Sequence, residues 1–220
     1  MTDRTYPIEH LQISKNRTVV FVDLETTGFK PWAGARIIEF CAIKVSPDKT
    51  EYFHELSKPF LYSERSLLTL NPIITNLTHI TNEMLTDCRC SFDVFLDFIK
   101  FIDGNTCIAH NSVFEKNFID YYCTALNLNF DIKFLDTMPM FKKVFGVAKL
   151  SKLTESSLAH SAFDDTYQML KLFKKCQVMD KENLKLCKPT VLTELARLSI
   201  NNDVLKIAKV IRNKGYSLYS

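Results

Sequence analysis

The stretch from residue 17 to residue 25, RTVVFVDLE, narrows the folds open to this chain more than any other. An apolar run suited to a buried strand ends there in two carboxylates, Asp23 and Glu25. Side chains alternate faces along a strand, so residues two apart share a face at about 7 Å. Asp23 and Glu25 therefore point the same way. Like charges at that spacing raise one another's pKa unless a cation lies between them. A hard divalent ion such as Mg²⁺ is the natural one, since it takes carboxylate oxygens and water. The alternative is a solvated strand end with two incidental acids, and the rest of the chain decides between the two.

The pattern after residue 25 continues as a meander. Residues 28–34 hold the turn formers of a connection, residues 36–45 (RIIEFCAIKV) are a second β-rich run, and residues 50–56 form a third strand after Pro47-Asp48. Loops this short imply antiparallel pairing. Helical spacing takes over at Phe92, Phe95, Leu96, Ile99 and Ile102, and Asp103-Gly104-Asn105 stops that helix before a short apolar run at 106–109. Phe114, Phe118, Tyr121, Tyr122 and Ala125 mark a further helix, and residues 134–136 a last short strand. Ala162, Thr166, Met169, Leu170 and Phe173 line a later helix. A mixed α/β sheet with helices packed on it follows from this order.

Composition adds limits. The chain has 220 residues, 46% of them hydrophobic and 24% charged, with few glycines and prolines, which suits an ordered domain with a core. No apolar segment approaches the ~20 residues of a membrane span. The polar N-terminus lacks a signal-peptide core, so a soluble, intracellular protein, cytoplasmic or nuclear, is expected. Seven cysteines without C-x-x-C spacing read as reduced thiols. Cys88, Cys90 and His79 could be imagined as a zinc site, but no second ligand pair accompanies them. Charge is uneven, with a net of −5 over residues 1–136 and +8 over 137–220. That asymmetry suits a metal site beside a phosphate-binding surface, and equally a solvated basic face.

Three more segments place polar groups at element ends. Residues 108–115 (IAHNSVFE) end a strand and open a helix with Glu115 in its first turn, Leu135-Asp136-Thr137 closes the next strand, and residues 159–165 (AHSAFDD) open the later helix. In order, the chain thus carries FVDLETTG at 21–28, AHNSVFEKNFI at 109–119, and His160 five residues ahead of Asp165, joined by residues 77–85 and 134–138. Over roughly residues 18–175 this resembles the DEDDh (DnaQ-like) family of 3′→5′ exonucleases, which includes the proofreading subunit of bacterial DNA polymerase III. The resemblance implies a ribonuclease-H-like mixed sheet, with an antiparallel three-strand meander, then alternating helices and strands, and helices on both faces.

It also implies a chemistry. Asp23, Glu25 and Asp165 become metal ligands and His160 the general base, with two Mg²⁺ ions or Mn²⁺ in their place. The family's fourth acid falls on Glu115, acting through water, where an aspartate is expected. Glutamate keeps the charge but moves it by ~1.5 Å. Asp120 is a poor substitute, since five residues further along a helix it faces ~140° away. Two metals would lower the pKa of a water and hold the leaving oxygen, and a nucleoside 5′-monophosphate would leave a single-stranded 3′ end of DNA or RNA. By the same resemblance, backbone at Thr26 and Thr27 would hold the terminal 3′-hydroxyl, Phe29 would stack on the last base, and His110 and Asn111 would shape the pocket. Phe29 as a buried turn residue and Asn111 as a helix cap stay open as alternatives.

Residues 1–17 are expected to be a polar lead-in, 18–183 the exonuclease domain, and 184–220 a basic helical C-terminal extension. Two rival readings remain. One is a nucleic-acid-binding protein of the same fold, catalytically impaired through Glu115. The other is a polymerase accessory module in which residues 185–220 dock a polymerase or other partner.

Overall fold

The computed structural model describes residues 18–61, 66–153 and 161–179. Strands β1 (Val19–Thr26), β2 (Ile37–Val45) and β3 (Thr50–Leu56) form the antiparallel meander. A small hairpin of β4 (Phe60–Leu61) and β5 (Ser66–Leu67) follows, then helices α1 (Pro72–Thr78), α2 (Asn82–Leu85) and α3 (Ser91–Ile102). β6 (Thr106–Ala109), α4 (Ser112–Ala125), β7 (Lys133–Asp136), α5 (Thr137–Phe145) and α6 (Ala162–Met179) complete the described chain. The main sheet runs β3-β2-β1-β6-β7, and β6 and β7 join β1 in parallel.

β1 is apolar on both faces because helices cover both. Val20, Val22 and Leu24 pack against Phe92, Phe95 and Phe98 of α3 and Phe118 of α4. Tyr122 locks that layer to the sheet: its hydroxyl donates to Ser91 Oγ (2.9 Å) and accepts from Ile37 N–H (3.1 Å). On the other face Phe21 meets Phe173 of α6 edge-on at 5.4 Å, within a cluster that includes Phe141, Met169 and Leu170. The alternation that buries Phe21 under α6 sends Asp23 and Glu25 to that same face.

The pairing of β1 with β2 steps between Glu25 and Thr26: Glu25 pairs with Glu39 and Thr26 with Ile37. Such a bulge bends the strand and re-aims the residues beyond it. Ile38, skipped in the register, joins Leu70, Ile80 and Leu85 in a third apolar cluster beneath α1 and α2.

The expected fold class is borne out, and the long elements lie where their periodicity placed them. Helices α1, α2 and α5 were not foreseen. Each is set by local caps: Asn71 Oδ1 accepts from Ile73 N–H, Thr81 Oγ1 from Met84 N–H, and Asp136 Oδ1 from Met138 N–H. Pro72 and Pro139 fall in first turns, where a missing N–H costs nothing. Among the described residues, no helix is long and apolar enough to cross a membrane. Cys88, Cys90 and His79 form no metal-ligand cluster, and Cys88 Sγ donates to Met84 O instead. The lead-in at 1–17, His160 and the extension at 184–220 lie outside the described residues.

Candidate active site

Three carboxylates converge where β1 meets the first turn of α6. One oxygen each from Asp23, Glu25 and Asp165 lies within 4.8 Å of the others. β1 supplies two of them from one face. α6 supplies the third, its first turn closed by Asp165 N–H donating to Ser161 O (3.0 Å). Burial, then Glu25, Glu115, Asp165 and Glu39, pushes the Asp23 carboxyl well above its ordinary range. Burial, then Glu39 and Asp165, pushes Glu25 up to about 8. Three hard oxygen donors that burial and then mutual repulsion disfavour as anions fit a divalent cation, which would offset both.

Glu115 stands beside this triplet rather than within its 4.8 Å spacing. It is only 2% exposed in the first turn of α4, and its Oε2 is buried without a hydrogen-bond partner. Burial lifts its pKa well above the usual range, its own backbone amide opposes this, and Asp136 and Glu25 add to the rise. An orphaned buried oxygen on an acid neighbouring a carboxylate cluster suits a site completed by water or an ion. Asp120 is engaged elsewhere, by Lys116 Nζ at 2.6 and 2.7 Å.

The turn that delivers Glu115 is built by Asp136, at the end of β7. Its carboxylate accepts from Asn111 N–H and Ser112 N–H, both at 3.1 Å, and caps α5 through Met138 N–H at 2.8 Å. Asn111 sits at the N-cap position of α4 with φ 70, a conformation asparagine tolerates, and its side chain makes no capping bond. The helix-cap alternative for Asn111 is thereby corrected: the cap is the Asp136 carboxylate. Beside it, His110 Nδ1 lies 3.0 Å from Thr137 Oγ1, whose own proton goes to Ala109 O. The hydroxyl therefore accepts from Nδ1–H. Burial lowers the His110 pKa, against Asp136 and the Ala148 backbone.

At the bulge, Thr26 Oγ1 donates to Gly28 O (2.7 Å), and Thr27 pairs with Arg36 through both backbone and hydroxyl. Arg36, 4% exposed, donates to the carbonyls of Pro31, Ala35 and Phe60 and lies 4.9 Å over the Tyr121 ring. It fixes the loop carrying Phe29, which is 79% exposed with its ring edge-on to Phe114 at 6.4 Å. The buried-turn alternative for Phe29 is corrected by that exposure. Trp32, on the same loop, is exposed as well.

Asp23, Glu25, Glu115 and Asp165 are thus brought to one place. Thr26, Thr27 and Phe29 line the loop at the end of β1, while His110 and Asn111 line the turn into α4. Sequence reasoning passed over Glu39, Arg36 and the clamping role of Asp136. Signals existed for the first two: each is a charged residue flanking or interrupting an apolar β run.

An exonuclease family model, RNase T, matches residues 20–173, a span that includes every one of these acids. The chain belongs to this exonuclease family. Two relatives of the family are PolC-type DNA polymerases III. The Thermotoga petrophila protein is 29% identical over 140 residues, covering 62% of this chain and 10% of that protein. The Staphylococcus epidermidis protein is 37% identical over 107 residues, covering 48% of this chain and 7% of that protein. The chain therefore spans a tenth or less of these relatives' length.

Among solved structures, a zinc-bound complex of E. coli exonuclease I with single-stranded DNA superposes with a TM-score of 0.66 at 17% identity, covering 76% of this chain and 42% of that one. A 3′-exonuclease that recognises a histone mRNA stem-loop gives 0.60 at 17% identity, covering 76% and 84%. These likenesses are of fold, and the exonuclease family shares the ribonuclease-H-like arrangement seen here.

Proposed function

We propose that this chain is a divalent-metal-dependent 3′→5′ exonuclease that shortens single-stranded DNA or RNA from its 3′ end and releases nucleoside 5′-monophosphates. The convergence of Asp23, Glu25 and Asp165 carries the reading, because three half-buried, mutually repelling carboxylates call for a cation. Mg²⁺, with Mn²⁺ as substitute, would be held by these three acids, with Glu115 acting through water. When bound, the metal supplies charge neutralisation for a phosphodiester and its leaving oxygen. His160 takes the proton of the attacking water. The Thr26-Thr27 backbone holds the terminal 3′-hydroxyl, Phe29 stacks on the last base, and His110 and Asn111 bound the pocket. Residues 18–183 form the exonuclease domain. The rival reading, in which residues 185–220 dock a polymerase or another protein, is tested by deleting them, since a docking tail is dispensable for isolated activity.

The test is digestion of 5′-labelled DNA and RNA oligonucleotides of equal sequence with Mg²⁺, Mn²⁺ or EDTA, beside Asp23→Ala and His160→Ala. A ladder shortening from the 3′ end, absent in EDTA and in both variants, is the expected result, and it reveals the preferred sugar. Tight binding without cleavage would refute the enzyme and leave a nucleic-acid-binding protein.

A further inference from the structure

Glu39 lies in the interior of β2, directly opposite Glu25 in register and 4% exposed. An acid there adds repulsion to the triplet and loses hydration, so its retention requires compensation. Both of its oxygens are engaged. Oε1 lies 2.6 Å from His54 Nε2 on β3, and Oε2 accepts from the backbone N–H of Ala162, the first residue of α6, at 3.0 Å. A carboxylate can only accept, so His54 carries its proton on Nε2. The following residue, Phe163, packs its ring against His54 (5.3 Å) and Tyr52 (6.2 Å). The start of α6 is thereby tied to β2 by a directional bond and to β3 by ring contacts, three residues ahead of Asp165.

Further along α6, Met169, Leu170 and Phe173 pack on Phe21 and its neighbours. Apolar packing is non-directional and tolerates small axial sliding of the helix. A hydrogen bond to one named N–H does not, because its strength falls steeply with distance and angle. A carboxylate also suits a helix N-terminus electrostatically.

We propose that Glu39, held by His54, is a positioning residue that sets the axial register of α6 so that Asp165 meets Asp23 and Glu25. The proposal rests on the metal-dependent reading above. Glutamine at position 39 would keep an oxygen for Ala162 N–H and turn its amide toward His54, which can accept in its other tautomer. Alanine would keep neither contact.

The test uses the full chain as wild type, Glu39→Gln, Glu39→Ala and His54→Ala. It reads Mn²⁺ affinity by calorimetry, hydrogen exchange of the 161–166 segment, and kcat and KM on an oligonucleotide. Glu39→Ala should weaken Mn²⁺ binding about 10-fold or more, as loss of an outer partner of a metal site does. It should lower kcat with little change in KM and speed exchange at 161–166. Glu39→Gln should restore Mn²⁺ affinity, kcat and exchange to near wild type, and His54→Ala should fall between. If Glu39→Ala keeps wild-type Mn²⁺ affinity and exchange while only losing stability, the positioning role is refuted. It is refuted equally if Glu39→Gln is as impaired as alanine, since charge alone would then matter. Should Glu39→Ala fail to fold, His54→Ala decides, and unchanged affinity and exchange there overturn the proposal. If wild type binds no Mn²⁺, the metal reading fails, and the exchange data alone then decide the tether.

Discussion

In the absence of metal, stability should fall as pH rises through neutrality, and Glu25 should account for much of the slope. Its folded-state pKa stands at about 8 against an ordinary 4.5. Between those values the folded chain keeps a proton that the unfolded chain has lost. Where the native state binds more protons, unfolding free energy decreases with pH, by ~1.4 kcal/mol per pH unit for one group. The stabilising proton is fully present below pH 4.5 and lost through pH 8, a ceiling of ~5 kcal/mol. Glu25 retains some solvent contact, so screening reduces this to ~2–3 kcal/mol. Urea unfolding from pH 5 to 9 in EDTA, for wild type and Glu25→Gln, measures it. The wild-type curve should descend, the Glu25→Gln curve should be flatter, and saturating Mg²⁺ should lift the high-pH end by binding the native state. A wild-type profile that is flat or rising across this window in EDTA, or a Glu25→Gln profile of equal slope, would refute the electrostatic account of the triplet.

Two other substitutions probe the frame around the acids. Asp136→Ala strips a charged acceptor from the N–H groups of Asn111, Ser112 and Met138. It should cost ~2–3 kcal/mol in urea unfolding, with Asp136→Asn intermediate; a loss below ~0.5 kcal/mol would mean that water replaces the clamp. Phe29→Ala, at a residue 79% exposed, should leave the melting temperature unchanged but raise KM for a single-stranded oligonucleotide about 10-fold, the loss of one stacked base. An unchanged KM would remove Phe29 from the substrate path.

Alternation and periodicity were enough to specify the sheet's first three strands, the long helices α3, α4 and α6, and the shared face of Asp23 and Glu25, because each depends on residues close in sequence. The ordered motifs likewise singled out Asp165 and Glu115 from sequence alone. The meeting of distant segments required the tertiary structure. Asp165 reaches the β1 acids because α6 packs across Phe21. Glu39 shows in sequence as an acid interrupting an apolar strand, but its contact with Ala162 N–H spans 123 positions. The Asp136 clamp on the α4 turn spans 25 and 24 positions, so no local pattern could disclose it. The motif names Glu115, but its burial and its unpartnered oxygen are visible only in the tertiary structure. Local sequence therefore chose the elements and the chemistry, while the directional bonds between distant segments decided where those groups stand, since register across a packed interface depends on atoms that no single element contains.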